Sequence, residues 1–201
     1  MVSAFSDLDL PTPKADAIRN VIGLGLAEAV AGLLHTAPDQ DGSQWMAMVE
    51  PLAQAYRQHF FADTTGPSDL FPHVVDTLEL LASRGYLMAV ATGKSRRGLD
   101  KVLHETGLGR FFIATRCADE TFSKPHPEML NQLLDYAGVG PHEAVMIGDT
   151  EYDLLMAKHA GTDAIGVCYG VHEPQRLRDL KPLACLEQIA DLPECLALAV
   201  K

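Results

Sequence analysis

Two carboxylates, Asp149 and Asp153, stand directly behind the apolar run Ala144-Val145-Met146-Ile147-Gly148. Four apolar residues closed by a glycine predict a short buried strand, and Leu154 to Ala160, stopped by Gly161, predicts the helix after it. In a parallel sheet, ligands gather beyond the carboxyl ends of strands, where Asp149 would sit. Two acids at such a place, with no basic neighbour in the sequence, suit a hard cation such as Mg2+. The same spacing also suits a plainer arrangement. Asp149 or Thr150 would then cap the helix, and Asp153 would complement its positive end.

Two further stretches offer anion-binding chemistry. Tyr86 to Ala91 reads as a strand that ends in Thr92-Gly93-Lys94-Ser95. The Thr92 hydroxyl, the Gly93 N–H and the start of the next helix could all donate to a phosphate. Ser95 is better explained as a cap alone. The second stretch, Ser123-Lys124-Pro125-His126-Pro127-Glu128, holds a lysine in a loop stiffened by two prolines. A lone loop lysine is ordinarily a solvated charge, but a fixed backbone makes a directed ammonium the better expectation here. His126, between the prolines, is expected to face solvent.

The elements that must position these residues divide the chain in two. Residues 1–68 show only helical periodicity. Lys14 to Ile22 predicts a short helix ended by Gly23. Leu24 to Leu34 predicts a second, with Leu24, Ala27, Ala31 and Leu34 on its apolar side, and 35–42 is a polar loop. Gln44 to Phe61 predicts a long amphipathic helix with Trp45, Met48, Val49, Leu52, Ala55 and Tyr56 on one side, where Pro51 marks a kink or a break. Asp63 to Ser68 is the best linker in the sequence.

Residues 69–201 alternate between helices (Val74 to Arg84, Ser95 to Thr106, Pro127 to Ala137) and short apolar strands (Leu87 to Ala91, Phe111 to Thr115, Asp163 to Cys168), with a last strand and helix in Leu183 to Val200. That alternation predicts an α/β fold, a parallel sheet covered on both faces.

Composition narrows the partners. The formal charge of −11 argues against nucleic acid or an anionic membrane as the main partner, and an anionic substrate would need local positive groups. Cys117, Cys168, Cys185 and Cys195 form no CxxC pair and no metal-ligand spacing, so reduced, mostly buried thiols of a cytoplasmic protein are expected. No apolar run approaches the ~20 residues of a membrane-spanning helix.

Taken together, VATGK behind a strand, SKPHPEML before a helix and MIGDTEYDL behind another strand resemble the haloacid dehalogenase-like hydrolases, in particular their phosphoglycolate phosphatase-like branch. Residues 1–68 resemble that branch's small helical cap, VIGLGLAEAV included, and residues 69–201 resemble most of its Rossmann-like core. The resemblance implies a Mg2+-dependent phosphatase of small phosphorylated metabolites. Thr92 and Gly93 would bind the transferring phosphoryl group, Lys124 would neutralise its charge, Asp149 would hold Mg2+, and Asp153 would support the ion directly or through water. A phosphomutase of the same superfamily would use the same core, whereas a dehalogenase would not need the acidic pair. His73 stands where relatives usually carry glycine.

The family's reaction also needs an aspartate nucleophile in a DxDGT-like turn behind the first core strand. Asp7-Leu8-Asp9 has a superficial DxD, but only Met1 to Phe5 precede Ser6, and Pro11 and Pro13 follow closely. Met1 to Leu10 therefore reads as the end of the first cap helix and its exit loop. On this reading the first core strand is missing, the strands around Ala89 and Ile147 each lack a neighbour, and residues 1–201 are inactive. The rival is a non-catalytic remnant that binds phosphate or serves as a scaffold.

Overall fold

The computed structural model describes residues 1–35, 42–62 and 69–199. The expected linker at 63–68 and most of the polar loop before Gly42 lie outside them. Among the described residues the first part contains four helices: α1 (Val2–Asp7), α2 (Ala15–Val21), α3 (Leu26–His35) and α4 (Gly42–Ala62). They converge on one cluster in which Phe5, Val30, Leu33, Leu34 and Leu52 are almost fully buried.

In α3 the buried face is Ala29, Val30, Leu33 and Leu34, a helical spacing shifted from the one expected. Leu24 falls outside the helix, because Gly23 takes a φ of +105° and starts an extended crossing, and Ala27 is exposed. In α4, Leu52, Ala53 and Ala55 are buried, and Met48, Val49 and Tyr56 pack half-buried against the cluster. The Trp45 side chain lies outside the described set. Pro51 sits inside α4 without breaking it.

The second part alternates as expected. It runs α5 (Val74–Ser83), β1 (Met88–Thr92), α6 (Arg96–Thr106), β2 (Phe112–Cys117), α7 (Glu128–Ala137), β3 (Val145–Gly148), α8 (Glu151–Ala160), β4 (Asp163–Val167), α9 (Pro174–Asp179), β5 (Ala184–Leu186) and α10 (Leu192–Ala199). Glycines in the left-handed region, Gly107, Gly138 and Gly161, close α6, α7 and α8, which lets each chain turn back towards the next strand. His73 takes the same region, with φ of 64°, just before α5, a conformation that costs a residue with a Cβ more than glycine.

All pairings are parallel, in two sheets of order β1-β2 and β3-β4-β5. Among the described residues only β4 is paired along both edges, and β1 and β3 each keep one edge without a strand partner. Successive residues of β4 point to opposite faces. Ile165 and Val167 meet Leu81, Leu192 and Leu196 of α5 and α10, while Ala164 meets Leu154 of α8 and Leu177 of α9. Helices therefore cover both faces, the arrangement a parallel sheet requires.

The four cysteines are free. The expectation that most would be buried is corrected, since only Cys117 is, and Cys168, Cys185 and Cys195 are half-buried. Among the described residues no helix is long and apolar enough to cross a membrane.

Candidate active site

The chain places Asp149 one residue past β3, and Thr150 is the N-cap of α8. Asp153 folds back onto this turn. Its Oδ2 accepts from the Thr150 N–H at 3.1 Å and from the Thr150 hydroxyl at 2.7 Å. Gly148 makes the fold-back possible, because a Cβ there would lie 2.2 Å from the Asp153 Cβ. The helix-cap arrangement open to these residues is thus realised at Thr150 and Asp153.

Lys124 reaches the same turn from the loop between β2 and α7, donating to Asp153 Oδ1 at 2.6 Å. Both partners are buried, with 7% and 4% of their side chains exposed. The expected directed ammonium is present, and its partner lies 29 residues away in sequence. His126 is exposed as expected and stacks on Phe122.

These bonds decide which carboxylate is open. Both Asp153 oxygens are occupied, one by Lys124 and one by Thr150. Asp149 gives Oδ2 to the Val171 N–H at 2.9 Å, and Oδ1 accepts no hydrogen bond from the described residues. Asp153 therefore serves as counter-ion to Lys124 and as part of the α8 cap. Among the described residues no group of three or more metal-binding side chains occurs. One open carboxylate still fits Mg2+, which keeps several waters and is commonly held by one or two carboxylates plus substrate phosphate.

The turn after β1 is built locally. Thr92 Oγ1 accepts from the Lys94 N–H at 3.1 Å, which leaves the hydroxyl hydrogen free to donate outward. Ser95 caps α6 by accepting from the Gly98 N–H at 3.2 Å, its expected role. Gly93 is covered from the helical part, since a Cβ there would lie 2.4 Å from the Leu24 carbonyl oxygen and 2.6 Å from that of Gly23. Ser123 fastens the same crossing, its Oγ accepting from the Gly25 N–H at 2.6 Å.

Thr92, Gly93, Lys124, Asp149 and Asp153 all line one cleft of about 790 Å³ between the helical part and the strand ends. Asp7, in contrast, pairs on the surface with His59 at 2.6 Å, and Asp9, beyond the end of α1, has φ of 53°. Neither stands at a strand end.

Several neighbours of the site gave no signal in the sequence. The Tyr169 phenol is pushed above its usual range by burial and, next, by the Asp149 charge. The buried His172 imidazole is lowered by desolvation and then by Arg176. Lys94 is exposed by area, yet desolvation lowers its ammonium, which lies 5.6 Å from the Phe60 ring centroid. The loop holding Tyr169 and His172 comes some 20 residues after Asp149, and only the fold brings it back.

Known proteins resemble this chain in sequence and in fold. Probable phosphatase IndB of Dickeya dadantii (strain 3937) is 34% identical over 192 residues, which cover 95% of this chain and 82% of the relative. A phosphoglycolate phosphatase of Pasteurella multocida (strain Pm70) is 30% identical over 182 residues, covering 90% and 81%. The crystal structure of a predicted phosphoglycolate phosphatase from Haemophilus somnus 129PT superposes with a TM-score of 0.81 at 24% identity, covering 97% of this chain and 88% of that one, a likeness of fold. The sequence profile of the haloacid dehalogenase-like hydrolases matches residues 1–167, and the chain belongs to that family.

Proposed function

We propose that the cleft binds the phosphoryl group of a small phosphorylated metabolite and that the protein is built as a Mg2+-dependent phosphoric monoester hydrolase, with a phosphoglycolate-like acid the first substrate to try. The observation that carries this reading is the buried Lys124–Asp153 pair lining the cleft that Thr92 and Asp149 also line. An ammonium has three donors, and Asp153 takes one, so two remain for phosphoryl oxygens. The Thr92 hydroxyl, oriented by the Lys94 N–H, adds another donor.

Asp149 would hold Mg2+ through Oδ1, and the ion would supply Lewis-acid stabilisation of phosphoryl charge. The helical part, residues 1–68, is taken as the cap and residues 69–201 as the core. The negative overall charge makes nucleic acid and anionic membranes poor partners, and the reduced cysteines suit the cytoplasm.

The family's reaction needs a carboxylate nucleophile, and neither Asp7 nor Asp9 occupies such a place. Residues 1–201 are therefore proposed to bind phosphate without turning substrate over. Their placement on the helical part favours, as the second reading, a protein that binds phosphate or acts as a scaffold without catalysis. A mutase would share the phosphate site and differ in its acceptor.

Calorimetric binding of inorganic phosphate, with release of phosphate from 2-phosphoglycolate and an aryl phosphate with and without Mg2+, tests the proposal. Binding that is present in the parent and only weakened in Lys124→Ala, without turnover, is the expected result. Turnover by residues 1–201 would make Asp7 the first nucleophile to replace, and absence of binding would sink the reading. In a form of the protein that turns over, Lys124→Ala should lower kcat more than affinity, on the order of 10²–10³.

A further inference from the structure

Asp149 is held from outside its own turn. The loop after β4, Gly170-Val171-His172, closes over it. The Val171 N–H donates to Oδ2 at 2.9 Å, and the His172 N–H donates to the Asp149 carbonyl at 3.2 Å. A Cβ at position 170 would lie 2.1 Å from the Asp149 Cβ, so this approach is open to glycine alone.

The other side of the same loop meets the helical part. His172 is buried, and its Nδ1 accepts from the Glu151 N–H at 3.2 Å, which leaves the ring proton on Nε2. Nε2 is buried without a hydrogen-bond partner, although the Arg19 carbonyl of α2 is near enough to act on it. Tyr152, whose ring meets His172 edge-on at 5.4 Å, donates its hydroxyl to the Asn20 carbonyl at 2.7 Å. Arg176 grips Glu151 through Nε and Nη2 and donates from Nη1 to Asn20 Oδ1 at 2.6 Å. Asn20 lies in the last turn of α2. Three residues on, a Cβ at Gly23 would lie 2.8 Å from Thr150 Oγ1.

We propose that Asn20 is a positioning residue for Asp149. Seating α2 on Tyr152, His172 and Arg176 fixes the loop that aims the Asp149 carboxylate, so the affinity of that carboxylate for a divalent cation depends on how the helical part is docked. This deepens the Mg2+ assignment above and rests on it. Outer partners of a metal ligand typically change affinity by about 10–100-fold. An effect near the lower end is expected, because Asn20 acts through two intermediaries.

The test is a titration of residues 1–201 with Mg2+ alone, followed through the Val171 and His172 amide resonances, with amide exchange at both positions measured in parallel. Asn20→Ala should weaken binding about 10-fold and speed exchange at Val171 and His172 while leaving the β4 amides unchanged. Asn20→Asp keeps the acceptor for Arg176 and should restore both readouts, whereas a merely structural residue would show no such rescue.

Gly170→Ala should act in the same direction and more strongly. If it fails to fold, Tyr152→Phe removes one of the Asn20 bonds without adding bulk and should reproduce part of the effect. Unchanged affinity and exchange in Asn20→Ala would overturn the proposal. Absence of Mg2+ binding, or binding that survives Asp149→Asn, would instead overturn the metal assignment, and the exchange data would still decide whether Asn20 positions the loop.

Discussion

The turns after β3 and β1 line the same cleft, and the helical part grips them differently. Around Asp149 the bonds are directional and come from distant segments. Lys124 lies 29 residues from Asp153, Val171 lies 22 from Asp149, and Asn20 lies 132 from Tyr152. Around Thr92 two bonds are local, from Lys94 to Thr92 and from Gly98 to Ser95, and the loop after β2 adds the Ala118 N–H donating to the Lys94 carbonyl and Asp119 accepting from the Arg96 N–H. The remaining support comes from the helical part, as carbonyls over Gly93 and as rings under cations. Lys94 and Lys101 lie 5.6 and 5.4 Å from the Phe60 centroid, and the Arg97 guanidinium lies 4.0 Å from that of Phe61. Exposed cation–ring contacts contribute roughly 0.5–1 kcal/mol and tolerate displacement. Both halves are thus braced by the α/β part and by the helical part, the Asp149 side through hydrogen bonds to α2 and the Thr92 side through carbonyl and ring contacts.

The largest break in this comparison should come from Lys124→Met. It strands the Asp153 carboxylate in a buried place, and removal of one partner of such a pair costs about 3–5 kcal/mol. Denaturant unfolding reads the loss. A change under ~1 kcal/mol, the range of exposed pairs, would mean that the pair does not hold the turn. Adding Asp153→Asn to the same variant should recover part of the stability.

A smaller contrast comes from making one change at both turns. Thr150 and Ser95 are the caps of α8 and α6, and loss of a cap costs about 0.5–2 kcal/mol. Thr150→Ala should fall at the upper end, because Thr150 is 1% exposed and its hydroxyl also donates to Asp153. Ser95→Ala should fall at the lower end. Equal losses at the two positions would remove the distinction.

The smallest effect should appear in acid. On the Thr92 side, the Arg96 guanidinium holds the Glu120 carboxyl below the usual range by a direct hydrogen bond. A folded-state value below the unfolded one, which lies near ~4.3, adds stability above that pH and loses it as pH falls through the folded value. Glu120→Gln should therefore be slightly less stable than the parent near neutral pH and equal to it in strong acid. The side chains of Glu120 and Arg96 are about a third exposed, so solvent screening keeps the difference small. A gap that widens on acidification would reverse the sign and refute the assignment.

What the sequence disclosed follows the same division. Strand ends and helix caps were legible because their signals are local. Gly148 before Asp149, Ser95 before α6 and Gly138 after α7 each act on neighbours within five residues. The apolar face of α3 differs from the expected one because Gly23 and Gly25 carry the chain across the cleft before the helix starts, which shifts its phase. The pairing of Lys124 with Asp153 and the closure of Gly170 over Asp149 left no trace in periodicity. Each depends on strands that the fold, and not the sequence neighbourhood, sets side by side. Asp153 suits a ligand and a cap equally well on spacing, and the fold shows the cap, with both oxygens hydrogen-bonded.

The separation of the strands into β1-β2 and β3-β4-β5 has a thermodynamic consequence. A hydrogen-bonded ladder makes strands melt together, and among the described residues no ladder joins these two sheets. Cooperativity between them passes through packing, such as Met88 of β1 against the cluster around Ile165, and through side-chain bridges such as Ser123 to Gly25 and Arg176 to Asn20. Two-state melting requires the calorimetric and van't Hoff enthalpies to agree. Here the van't Hoff value should fall short of the calorimetric one, with β1-β2 released first and the three strands around β4 surviving to higher temperature.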